Sequence, residues 1–221
     1  MNLAPKFKQL VLATAVAASG GAIADTVNLS GFTFDPASPL TVAVPGYSGP
    51  AGQFSGTLNG DSFVTYCTDL AQSFSFNVSY SDYSIVDGVA AWGASRSLAL
   101  DRAMSAVVGN GWPTDAAASA VVQAAVWEIL YETSGNYGFG TGTFKATSAD
   151  AVVQSSLNSV DPWVWNWLPS VAVTVHASQL YSREHQDFLT LTPVPEPGTY
   201  ALLLAGLGAI GFVARRRAPR A

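Results

Sequence analysis

The run Gln53-Phe54-Ser55-Gly56-Thr57-Leu58-Asn59-Gly60-Asp61-Ser62-Phe63-Val64-Thr65-Tyr66-Cys67-Thr68 decides how this chain is read. Gln53–Leu58 and Ser62–Thr68 are β-prone stretches. Asn59-Gly60 between them is the strongest short hairpin signal, because both residues tolerate the positive φ of a tight turn. Outward from this hairpin, Asp25 to about Tyr83 keeps a β character. Gly31–Phe34 and Leu40–Val44 are short segments broken by Pro36, Pro39, Pro45 and Gly46. Ser73–Tyr80 alternates Phe74, Phe76, Val78 and Tyr80 with Ser and Asn, which predicts a half-buried strand.

Downstream the period changes. Ala91–Val108 has no proline and ends at Gly109-Asn110-Gly111, which predicts a first helix. A second is expected from about Thr114, as N-cap after Pro113, to about Glu132, and a third around Ser148–Leu157 after the Gly135–Gly142 loop. Strands return at Val171, Val173 and Val175 and at Phe188–Leu191. The expected fold is α+β and mainly β: a β-sandwich or barrel-like core with three helices inserted between about residues 88 and 160.

Composition narrows the function classes. Hydrophobic residues make up 49 % of 221 residues and charged ones only 11 %, against about 25 % charged in average soluble chains, so a disordered polyelectrolyte is excluded. One cysteine excludes an internal disulfide, a thiolate zinc cluster and a CxxC redox pair. Residues 25–198 hold Arg96, Arg102, Lys145 and Arg183 as their basic residues against all 15 acidic ones. A domain this acidic has no basic face for nucleic acid.

The two ends read as addresses. Residues 1–24 have the order of a secretory signal: Lys6 and Lys8, apolar Leu10–Ala18, then Ala22-Ile23-Ala24 before Asp25. At the other end Val194-Pro195-Glu196-Pro197 precedes apolar Tyr200–Ala214 and the cluster Arg215, Arg216, Arg217. Fifteen apolar residues fall short of the roughly 20 that cross a bilayer untroubled, but flanking arginines can snorkel and favour the cytoplasmic side. This tail resembles the PEP-CTERM sorting signal of exported proteins in Gram-negative bacteria. The resemblance implies a transmembrane sorting helix, an exosortase as processing partner, and passage through an inner-membrane-anchored intermediate to the cell surface or extracellular matrix, often alongside exopolysaccharide. The expected organisation is signal peptide 1–24, exported domain 25–192 and sorting signal 193–221.

Within the exported domain, Cys67 is the only sulfur nucleophile, and a free cysteine is most often a small buried hydrophobe. On the second helix Ala116, Ala120, Gln123, Trp127 and Leu130 share one face, apolar apart from Gln123. A buried carboxamide without a partner costs roughly 1–3 kcal/mol, so Gln123 needs either a hydrogen-bonded place or a function. Tyr66-Cys67-Thr68-Asp69 together with Val122-Gln123-Ala124-Ala125-Val126-Trp127 resembles the paired motifs of thioester domains in bacterial surface adhesins. The resemblance implies an internal Cys67–Gln123 thioester that attaches covalently to amines, with Tyr66 and Trp127 as shelter and Asp69 as a candidate proton acceptor. The stretch between the motifs is short for that family.

Other features carry less. Trp163, Trp165 and Trp167 after Pro162 read either as core or as a platform for sugar rings. His176 and His185 show no metal-ligand spacing, and no Gly-x-Ser-x-Gly elbow or phosphate loop occurs. The expectation is therefore no enzyme, no metal and no cofactor. The chain reads as an exported adhesion protein with a thioester, or alternatively as a non-covalent structural or carbohydrate-binding module of the biofilm matrix.

Overall fold

The computed structural model describes residues 24–43, 45–194, 203–207 and 210. Its main body is a six-stranded antiparallel sheet in the order β5-β4-β1-β6-β8-β9. The strands are β1 (Asp25–Phe32), β4 (Phe54–Leu58), β5 (Asp61–Thr65), β6 (Ser79–Asp87), β8 (Val175–Tyr181) and β9 (Phe188–Pro193). A second sheet places β2 (Ser38–Val42) between β3 (Tyr47–Ala51) and β7 (Ala146–Thr147). The Asn59-Gly60 hairpin forms as expected: φ is 55° and 91° at the two turn residues, and Leu58 faces Asp61 across β4 and β5.

The large sheet curls until its two edges meet. Leu189 N–H donates to the Tyr66 carbonyl at 2.9 Å, Thr65 Oγ1 donates to the Leu189 carbonyl at 2.6 Å, and Cys67 forms a single antiparallel bridge with Phe188. The result is a nearly closed barrel, which pairs edge groups that would otherwise stay open. Gly56 permits the tight curl. A Cβ there would lie 2.0 Å from the Asn28 carbonyl oxygen, next to the register shift between Leu29 and Gly31.

Four helices fill residues 88–167: α1 (Gly88–Trp92), α2 (Ala94–Gly109), α3 (Ala116–Tyr131) and α4 (Ala151–Trp167). The first expected helix is thus two, divided at Gly93, whose φ of 82° favours a residue without Cβ. The second begins one residue later than expected, because Asp115 and not Thr114 caps it by accepting from Ala118 N–H. The third starts at its Asp150 cap and runs on through Pro162. Ser73–Asn77 is irregular chain and not a strand. Asn77 has φ 60°, and Phe74 packs edge-on against both Phe54 and Phe76 instead of alternating across a sheet. Val171–Thr174 precedes β8 and joins no ladder.

Val27, Leu29, Phe54, Tyr83, Leu180 and Phe188 point into the barrel and join Leu40, Val42, Ala124, Trp127, Phe144 and Leu157 in one core. A second core lies outside β8 and β9, where Ala177 and Leu189 meet Leu100, Met104, Val126 and Ile129 of α2 and α3. Helix α3 lies between the two cores and is buried on nearly every side. Its buried polar residues are therefore several. Ser119 accepts from Gln53 N–H at 2.7 Å and Glu128 from Gly138 N–H at 2.6 Å, so Gln123 is not alone as the helical face suggested. Among the described residues no helix is long and apolar enough to cross a membrane. Residues 203–207 and 210 are helical and exposed, and the rest of the expected sorting helix lies outside the described residues, as do residues 1–23 of the expected signal 1–24.

Candidate functional site

Cys67 sits just beyond β5, where the barrel seam closes. On its β9 side the backbone bonds come from its neighbours: Tyr66 accepts from Leu189, and Thr68 N–H donates to the Asp187 carbonyl at 3.0 Å. The N–H and C=O of Cys67 itself therefore point away from β9, where no strand continues. The Gln123 side chain fills that place. Cys67 N–H donates to Gln123 Oε1 at 2.9 Å, and Gln123 Nε2 donates to the Cys67 carbonyl at 2.8 Å. A carboxamide has the donor and acceptor of a peptide unit, so Gln123 acts as a one-residue strand partner. Two segments 56 positions apart are joined, and both are buried.

The sulfur lies in a cavity of about 220 Å³ lined by Tyr47, Phe54, Phe74, Gln123, Trp127 and Gln186, among others. Cys67 Sγ donates to the Asp69 backbone carbonyl, and Gln186 Nε2 donates both to Sγ and to that same carbonyl. Burial pushes the thiol up to about 12, with the Asp69 and Asp187 carboxylates adding to it and the Trp127 indole N–H opposing it. Asp187 is pushed up to about 6, chiefly by burial, although Ser182 N–H and Gln179 Nε2 donate to it at 2.8 Å each. At neutral pH the sulfur is a protonated thiol, and a nucleophilic thiolate has to be generated against the surroundings.

The sequence-derived residues separate on this geometry. Trp127 lines the cavity one turn after Gln123 and packs on Tyr47 with ring centroids 5.1 Å apart. Tyr66 does not: strand alternation turns it to the second core, away from the sulfur. The Asp69 carboxylate is occupied elsewhere, accepting from Ala71 N–H at 2.8 Å and Gln72 N–H at 3.1 Å in a tight turn, so the backbone of Asp69 and not its side chain meets the thiol. Trp165 stacks on Tyr137 at 5.2 Å as a core residue, and with Trp167 it lines an apolar cavity of about 300 Å³ between α2, α3 and α4. His176 bridges Asp87 and Asp101 at 3.0 Å each, and His185 meets Asp82 at 3.1 Å. Among the described residues no cluster of His, Cys, Asp or Glu could hold a metal ion.

Sequence reading missed Gln186, Tyr47 and Tyr131. Tyr131 Oη accepts from Leu70 N–H at 3.0 Å and thereby ties the Cys67–Leu70 segment to the end of α3. Nothing in the polar run Ser182–Asp187 distinguishes Gln186 from any loop glutamine. Tyr131, in contrast, lies two turns after Gln123 in the same helix, and that spacing is the signal by which it was open to sequence reading.

Of the expected sorting-motif residues Val194 is described, its N–H donating to the Thr174 carbonyl at 2.9 Å; Pro195, Glu196, Pro197, Arg215, Arg216 and Arg217 lie outside the described residues. Residues 193–217 match the PEP-CTERM protein-sorting motif. That motif indicates an exported protein targeted to an exosortase, made as a membrane-anchored precursor and later processed to the cell surface. From the folded body the match takes in Pro193, the last residue of β9. No curated protein matches this chain. No solved structure matches it either. The likeness to thioester domains accordingly rests on the motif residues themselves.

Proposed function

We propose that the exported body attaches covalently to amines at the cell surface or in the surrounding matrix through a thioester between Cys67 and Gln123. The observation that supports this reading is the seating of the Gln123 carboxamide directly on the backbone of Cys67, at 2.8 and 2.9 Å, beside a cavity that contains the sulfur. The Cys67 N–H already donates to the carbonyl oxygen that would carry negative charge in a tetrahedral intermediate, as an oxyanion-hole donor does. Attack by Sγ on Gln123 Cδ forms the S–C bond and breaks the C–N bond, and ammonia leaves with the thiol proton. An incoming primary amine then displaces the sulfur and leaves an amide on the Gln123 side chain. Each chain reacts once, so this is attachment and not turnover.

The same two hydrogen bonds also support a plainer reading, in which Gln123 only completes the barrel seam and the body is a non-covalent matrix module. Intact mass separates the two. A thioester makes the purified chain lighter than its sequence by one ammonia, and methylamine restores that mass with a methyl group added at Gln123. A chain at full sequence mass that takes up no methylamine refutes the covalent reading. Resistance to thiol reagents does not discriminate, because a thioester offers no thiol and a free buried thiol held near 12 alkylates slowly as well.

A further inference from the structure

The Cys67 sulfur accepts an N–H from Gln186 and shares its cavity with the indole of Trp127, from a different part of the fold. Gln186, in the turn before β9, spends both hydrogens of its Nε2 there, one on Sγ and one on the Asp69 carbonyl. Its backbone is fixed for the purpose: Tyr83 Oη donates to the Gln186 carbonyl at 2.6 Å, and Gln186 N–H donates to the Ser73 carbonyl at 3.4 Å. Trp127 is 2 % exposed and lines the same cavity, yet among the described residues its Nε1–H has no acceptor in hydrogen-bond geometry. A buried indole N–H normally finds one. The Trp127 indole lines the same cavity as Cys67, where it helps pull the thiol down against burial.

We propose that Gln186 and Trp127 form a donor pair that holds the Cys67 sulfur and stabilises negative charge on it, both when the bond to Gln123 forms and when an amine opens it. The proposal rests on the thioester reading above and assigns that reaction two further residues. In formation the sulfur gives up its proton before or as it attacks Cδ. In opening, nitrogen bonds to Cδ, the S–C bond breaks, and the sulfur departs with the electron pair and then takes up the proton released by the amine. Charge on sulfur arises in both directions, inside a site whose burial and carboxylates oppose it. Among the described residues the Gln186 N–H is the donor that the geometry brings to that atom, with the Trp127 indole in the same cavity. They do for sulfur what Cys67 N–H does for the Gln123 carbonyl oxygen.

The test uses the full chain in detergent. Gln186→Met keeps length and removes the donor; Gln186→Glu keeps shape and turns a donor into an acceptor; Trp127→Phe keeps a ring without the N–H. Two rates are measured in variants whose near-UV dichroism matches the parent: methylamine uptake at Gln123, and alkylation of the Cys67 thiol by iodoacetamide at mildly alkaline pH. Alkylation is read after methylamine opening, or on the purified chain if its mass shows an intact Gln123. Both rates should fall roughly tenfold or more in Gln186→Met, further in Gln186→Glu, and less in Trp127→Phe, since losing a charge-assisted donor shifts the thiol by about one pH unit. Unchanged rates in folded Gln186→Met and Trp127→Phe overturn the proposal. A parent chain at full sequence mass defeats the thioester reading alone, and the alkylation rates then still decide whether the two donors serve the sulfur.

Discussion

Replacing Cys67 by alanine removes one buried sulfur, and the cost depends on what that sulfur is bonded to. The alanine backbone keeps both hydrogen bonds to Gln123, and losing Sγ alone costs about 1 kcal/mol, near that of a deleted buried methylene. A thioester adds a second contribution, because it links positions 56 apart and restricts the unfolded chain. The loop-closure relation used for disulfides gives about 14 cal/mol/K for a loop of that length, or about 4 kcal/mol at 25 °C. The crosslinked chain should therefore lose about 5 kcal/mol in Cys67→Ala and remain folded. At about 2–4 °C per kcal/mol for a chain of this size, the midpoint should drop by about 10–20 °C. Urea and thermal unfolding followed by tryptophan fluorescence measure it. Methylamine treatment of the unmutated chain supplies the matching control: it opens the bond without mutation and should lose the same 4 kcal/mol contribution. If Cys67→Ala and the methylamine-treated chain both unfold within about 1 kcal/mol of the parent, no crosslink restrains the unfolded state and the argument fails.

Further outcomes follow from the surrounding structure. Gln123→Leu strips Cys67 N–H and C=O of their partner inside the core, and two unsatisfied backbone groups should cost about 2–5 kcal/mol by chemical denaturation even in a Cys67→Ala background. Glu132 accepts from the N–H groups of Ser134, Thr143 and Phe144 and from Thr143 Oγ1, holding the Gly-rich loop to the end of α3. Glu132→Ala should cost about 3 kcal/mol or more and expose the Ser134–Phe144 loop to limited proteolysis. Although partial burial pushes the other way, those donors hold the Glu132 carboxyl down to about 2 from an ordinary 4.5. Its stabilisation should thus be complete above about pH 4.5 and disappear as pH falls toward 2, and a thermal midpoint equally acid-sensitive in Glu132→Gln would contradict this. His176 donates to Asp87 and Asp101 together only as an imidazolium, and the hydrogen bond to Asp87 is the first cause of its raised pKa. Its contribution is full below the ordinary value of 6.5 and is lost as pH rises through the raised one, so His176→Gln should flatten the alkaline fall of the melting temperature.

Local chemistry by itself determined a good part of this protein. The Asn59-Gly60 turn, the strand at Phe188–Leu191 and a helix centred on Gln123 were legible because each depends on residues a few positions apart. The sorting tail was legible for a related reason: tetrad, apolar run and arginines are read as a linear order, and residues 193–217 match that motif. Gln123 and Cys67 stood out as two oddities, one polar and one sulfur-bearing. Their meeting was expected only through the likeness to thioester domains; neither strand period nor helix period carries information about a partner 56 residues away, and the contact itself is made by the tertiary structure. The same holds for Gln186, which reaches the sulfur across 119 positions because the barrel seam closes between Tyr66 and Leu189. Tyr66 shows the converse. It is adjacent to Cys67 in sequence, yet the pleat sends neighbouring side chains to opposite faces, and which face holds the site depends on the strand that closes the barrel. Asp69 was misread for lack of the turn that engages its carboxylate. Periodicity specifies which side of an element is apolar; what covers that side is set by contacts between segments far apart in the chain, and the chemistry around Cys67 belongs to that second kind.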